Sequence, residues 1–102
     1  MKKEQLDNPE EIRTRIVGAA KMTHEGGLHA RPAIKVTKLA KSFGASVWVG
    51  SSENGPWIDA KSIARLMAMK LPSPSTVHFA AEGQDAKAVV DALIKLVESD
   101  FA

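Results

Sequence analysis

The chain has 102 residues, 44% hydrophobic and 25% charged. That makeup fits one globular domain, long enough to bury roughly two-thirds of the surface of its unfolded chain. Cysteine is absent, which excludes disulfides and thiolate metal sites and fits a reducing, cytoplasmic setting; no apolar run is long enough to span a bilayer, and no signal-peptide pattern opens the chain. The net charge of +2 and pI near 9.0 are too mild to argue for nucleic acid by themselves.

Residues 1–12 are polar and charged, with Asn8-Pro9 as a breaker. They read as a tail outside the core, either a fusion remnant or a tether to an upstream domain, which leaves residues 13–102 as the folded unit. Ile16 to Met22 predicts a first strand, weakened by Gly18, Ala19 and Ala20. Thr23 to Gly27 predicts a loop, in which His24 reads as a solvated residue.

The next six residues, Gly27-Leu28-His29-Ala30-Arg31-Pro32, combine three local signals. Gly26-Gly27 breaks what precedes. Pro32 suits the first turn of a helix, where its missing N–H costs nothing. Between them stands His29, with Arg31 two residues on. A helix start offers free N–H groups and a partial positive charge, and a guanidinium adds a planar fork suited to phosphate. The layout suits a phosphoryl group carried on the imidazole; the alternative is a solvated helix cap.

Ala30 to about Phe43 predicts a helix closed by Gly44, with Ala33, Ile34, Val36, Leu39, Ala40 and Phe43 as its apolar face. Arg31, Lys35 and Lys38 recur at helical spacing with Lys41 nearby, either as a solvated face or as a docking surface for an acidic partner. Ala45 to Gly50 and Trp57 to Ala60 predict a hairpin around Asn54-Gly55. Trp48 and Trp57 pack across it or on one face, or form a base-stacking platform. Ser62 to Met69 predicts a short helix capped by Ser62, with Ile63, Leu66 and Met67 at helical spacing. Leu71 to Ser75 holds two prolines and reads as a loop. Thr76 to Ala81 predicts the last strand, with Val77 and Phe79 on one face and His78 on the other. Asp85 to Ser99 carries the clearest helical stripe, Ala86, Val89, Val90, Leu93, Leu96 and Val97, with Asp91 and Lys95 as an expected ion pair. The order strand, helix, strand, strand, helix, strand, helix predicts an α+β fold with one sheet and its helices on one face.

The hexapeptide closely resembles the active-site signature of the HPr phosphocarriers of the bacterial phosphoenolpyruvate-dependent phosphotransferase system. The resemblance runs from about Ile16 to Phe101 and includes Ala60-Lys61-Ser62-Ile63 and Ala81-Glu82-Gly83-Gln84-Asp85. It implies an open-faced β-sandwich, a four-stranded antiparallel sheet with three helices on one side. It implies that His29 accepts a phosphoryl group on Nδ1 from enzyme I and passes it to EIIA components of sugar transport, with Arg31 stabilising the phosphate. Ser62 matches a serine that a dedicated HPr kinase phosphorylates in some members. The implied docking face comprises Ala30, Ile34, Lys38, Lys41, Ile63 and Met67. Four features depart from the family pattern: Ala64 is small, Lys70 replaces a usual glycine, the Leu71 to Ser75 loop is proline-rich, and the N-terminal extension is unusual.

His29 must be neutral to attack phosphorus, and both a helix N-terminus and Arg31 favour the uncharged ring. There is no Asp/Glu/His cluster at metal spacing, no Walker A loop and no local Ser-His-Asp arrangement. The expectation is therefore a monomeric phosphocarrier rather than an autonomous enzyme, with no metal, no cofactor, no nucleic-acid partner and no membrane insertion. The alternatives are a regulatory HPr paralogue or the HPr domain of a multidomain phosphotransferase. More remote is a small nucleic-acid-binding module using the basic helix face and the two tryptophans.

Overall fold

In the strands apolar residues recur at every second position, and in the helices at every third or fourth, so each element has one face to bury. The computed structural model describes residues 15–102; the tail expected over residues 1–12 and the start of the domain at 13 lie outside the described residues. Strands β1 (Arg15–Met22), β2 (Ser46–Gly50), β3 (Trp57–Asp59) and β4 (Ser75–Glu82) form one sheet in the order β1-β4-β2-β3, and every pairing is antiparallel. Helices α1 (Ala30–Lys41), α2 (Ile63–Met69) and α3 (Ala86–Glu98) follow β1, β3 and β4. Among the described residues this is the α+β open-faced sandwich expected from the chain, with three helices over four strands.

The core lies between the two layers. Ala20, Met22, Val47, Val49, Val77, Phe79 and Ala81 of the sheet meet Val36, Ala40, Leu66, Val89, Val90 and Leu93 of the helices, all buried. The small residues that weaken the pattern of β1 have a packing reason. A Cβ on Gly18 would come within 2.8 Å of Ile94 Cδ1 and 2.9 Å of Val90 Cγ1, so α3 lies close upon the strand there. Thr37 is buried in α1 and donates its hydroxyl proton to the Ala60 carbonyl at 3.0 Å, tying α1 to the turn before α2.

Several local expectations shift. Helix α1 ends at Lys41 rather than Phe43 because Ser42 caps it: its hydroxyl and amide both donate to the Leu39 carbonyl. Gly44 is therefore not the stop; its N–H donates to Asp85 Oδ2 at 2.9 Å, which leaves Asp85 without a side-chain cap bond to α3. The ion pair on α3 is Lys87 with Asp91, at 2.9 Å, not Asp91 with Lys95. Helix α2 is capped as expected, the Ser62 hydroxyl accepting the Arg65 N–H at 3.3 Å. It closes on Lys70 in the left-handed region, φ 52° and ψ 43°. Glycine adopts that conformation at no steric cost, which fits the glycine that the resemblance implies at this position.

The sheet's other face carries Arg15, Val17, Trp48, Trp57 and His78. The Arg15 guanidinium lies 5.1 Å from the Trp48 ring centroid and reaches Glu82 at 3.2 Å. The tryptophans are not direct cross-strand partners: Trp48 faces Asp59 and Trp57 faces Gly50, whose missing side chain leaves room for the indole.

Candidate functional site

The site is built where β1 hands the chain to α1. Gly26 and Gly27 both have positive φ, 87° and 71°. At Gly27 glycine is required twice over: a Cβ there would fall 2.2 Å from the Leu71 carbonyl oxygen. The approach is that close because the Leu28 N–H donates to the same carbonyl at 3.0 Å, while the Leu28 side chain is buried beneath. The proline-containing loop before β4 thus supports the turn that carries His29.

His29 is the N-cap of α1 in extended conformation, and its carbonyl accepts the Ala33 N–H at 3.0 Å. Its side chain does not cap. The ring is exposed, and among the described residues it makes no hydrogen bond. A Cβ on Gly26 would meet His29 Cδ2 at 2.8 Å and Nε2 at 3.1 Å, so that edge of the imidazole lies against the glycine and Nδ1 is on the other edge. The amides of Ala30 and Arg31 belong to the first turn and have no intrahelical acceptor, and the helix dipole adds positive potential there. Pro32 stands at the third helical position, buried, where its missing N–H is harmless. Arg31 is exposed and lines a shallow cleft with His24, Pro32, Lys35, Asp100 and Phe101. The arrangement offers a nucleophilic nitrogen, unpaired backbone donors and a guanidinium at one helix end, which is what an incoming phosphoryl group needs.

The expected docking residues are all exposed. Ala30, Lys38 and Lys41 are exposed on α1, as is Ile34 at 42%. On α2, Ile63 and Met67 are exposed at 38% and 41%. Arg31 and Lys35 diverge from this stripe around α1 and line the cleft toward the end of α3 instead. Ser62 is half-buried at the start of α2. Lys61 beside it sends its ammonium group to the Phe43 carbonyl at 3.3 Å.

His24 departs from the solvated loop residue expected of it. Its Nδ1 lies 2.9 Å from Asp100 Oδ1, its ring stands 5.5 Å from that of His29, and Phe101 packs edge-on against it at 5.3 Å. Sequence reasoning overlooked Asp100 and Phe101, which lie 76 and more residues from the histidine they hold. The only local signal was one apolar residue, Phe101, just beyond the last helix.

The chain is similar to known proteins in sequence and in fold. Residues 18–99 match the family model described as the PTS HPr component phosphorylation site. The phosphocarrier protein HPr of Vibrio cholerae is 40% identical over 77 residues, which cover 76% of this chain and 88% of the relative. HPr of Cupriavidus necator is 40% identical over 75 residues, 74% of this chain and 82% of that one. A crystal structure of HPr from Thermoanaerobacter tengcongensis superposes with a TM-score of 0.76 at 31% identity, covering 84% of this chain and 94% of its own. With nearly the whole described domain matched in sequence and in fold, the chain belongs to the HPr family of phosphocarrier proteins of the phosphotransferase system.

Proposed function

We propose that His29 is the phosphoryl acceptor, that enzyme I is its donor and that EIIA components of sugar transport receive the group, all in the cytoplasm. The observation that supports this most is the unengaged, exposed His29 ring at the N-terminus of α1, with Arg31 in the same turn. The Nδ1 lone pair attacks phosphorus in line as the donor's bond to phosphorus breaks, and that bond's electron pair returns to the donor. Arg31 and the free amides of the first turn take up charge on the equatorial oxygens. A carrier must also release its load, and an exposed site with few donors avoids binding phosphohistidine more tightly than the transition state.

Partners dock on Ala30, Ile34, Lys38, Lys41, Ile63 and Met67, an apolar patch edged by lysines that suits an acidic surface. Ser62 lies at the margin of this patch as a cap with an accessible hydroxyl, and phosphorylation there by an HPr kinase adds a dianion that the helix N-terminus tolerates and the partner does not.

The test is incubation with enzyme I and labelled phosphoenolpyruvate, followed by acid. Wild type and His78→Ala acquire acid-labile label, while His29→Ala acquires none and keeps its fold. Label at the wild-type level in His29→Ala refutes the assignment.

A further inference from the structure

The end of the chain folds back to reach His24. After α3 the Asp100 N–H donates to the Val97 carbonyl at 3.0 Å and the Phe101 N–H to the Leu96 carbonyl at 2.8 Å. Both residues sit at φ 61°, a left-handed conformation that side-chain-bearing residues rarely adopt. Burial of Phe101, 4% exposed, holds the turn in place and puts Asp100 against His24. These two bonds are those of a Schellman turn, a common close of an α-helix, and here the turn delivers a carboxylate to His24.

A carboxylate partner places a proton on His24 Nδ1, so Nε2 is the nitrogen that gains or loses one. The His24 side chain is only 23% exposed, and its ring centroid is 5.5 Å from that of His29 with the planes tilted by 31°. The charges around it come from every neighbouring element: Asp100 after α3, His29 at the cap of α1, Arg31 and Lys35 across the cleft, and Glu25 in its own loop. In that set the cations Arg31 and Lys35 are balanced by the Asp100 carboxylate. A phosphoryl group on His29 adds about −2 and tips that balance toward the imidazolium.

We propose that His24 is a proton-linked charge partner of the phosphoryl group on His29. When His29 is loaded, His24 takes one proton from solvent at Nε2, and the imidazolium, held by Asp100, slows loss of the group. His24 forms no bond to phosphorus. In the loss itself the His29 nitrogen–phosphorus bond breaks, its electron pair returns to the imidazole nitrogen, a water oxygen bonds to phosphorus, and one proton of that water ends on the freed nitrogen. A cation nearby stabilises the loaded dianion and disfavours the protonation of the His29 ring that makes it a good leaving group. The inference rests on the proposed role of His29 and adds to it a residue that sets how long the group stays.

The experiment loads the full chain chemically with phosphoramidate, so that no partner protein enters, and follows loss of phosphohistidine by phosphorus NMR from about pH 6 to about pH 9, a range spanning the imidazole titration. Thermal unfolding is recorded alongside. His24→Gln, which retains a donor for Asp100 without the charge, is expected to lose phosphate about three- to tenfold faster than wild type at the acid end, the worth of one charge at this separation in partly hydrated surroundings. The two converge at the alkaline end, where wild-type His24 is neutral. Asp100→Asn moves the wild-type crossover to lower pH, and it carries the same decision if His24→Gln folds poorly. Equal loss rates at the acid end, or a ratio constant across the range, overturn the proposal and leave His24 a structural residue. Failure of wild type to load on His29 overturns the carrier reading instead.

Discussion

Replacing Gly27 by alanine tests whether the loop before β4 holds the histidine turn in place. Two costs add. At φ 71° a side-chain-bearing residue is in the left-handed region, a penalty of about 1–2 kcal/mol. The new Cβ would then lie 2.2 Å from the Leu71 carbonyl oxygen and 3.1 Å from Pro72 Cα, both backbone atoms, so the turn and the loop must part by about 1 Å. That movement breaks the bond from the Leu28 N–H to Leu71, worth about 1 kcal/mol. The sum is roughly 2–3 kcal/mol, which in a domain of this size lowers the melting temperature by about 10–20 °C. Because His29 rides on the displaced turn, phosphoryl acceptance should fall as well, and misplacement by about 1 Å can cost up to 100-fold in a transfer reaction. Thermal denaturation by circular dichroism and the labelled phosphoenolpyruvate assay measure the two effects. Gly44→Ala is the matched control: its Cβ would meet only Asp85 Oδ2, at 3.9 Å. A loss for Gly27→Ala below about 0.5 kcal/mol, the usual range of surface substitutions, or one equal to that of Gly44→Ala, refutes the reasoning.

Two further predictions concern the site and its margin. Arg31→Ala slows transfer from enzyme I by about tenfold or more while changing stability by less than about 0.5 kcal/mol, since the side chain is exposed and its charge acts on the transferring group; stopped-flow transfer rates beside denaturant titration decide it. Ser62→Asp keeps the melting temperature within a few degrees, because a carboxylate can cap α2 as the hydroxyl does, but it weakens transfer from enzyme I by placing a charge beside Ile63 and Met67; equal transfer kinetics for variant and wild type would leave Ser62 as a cap alone.

Much of this architecture was legible in the order of residues. The stripe Ala86, Val89, Val90, Leu93 and Val97 on α3 and the alternation Val77, Phe79, Ala81 on β4 are patterns of 3.6 and 2 residues, which depend on neighbours along the chain. The hexapeptide was legible for the same reason: a glycine, a histidine and a proline within six residues specify their own backbone. Only the tertiary structure decided what lies around that turn. Gly27 must be glycine because Leu71 approaches it, and Gly44 is occupied by Asp85 from the start of another helix. His24 is held beside His29 because the turn after α3 delivers Asp100 and Phe101 to it. Each of these contacts joins segments distant in sequence, and a residue's own side chain carries no record of which distant backbone folding will bring against it. Local periodicity is a property of the chain, whereas the company a histidine keeps is a property of the packed core.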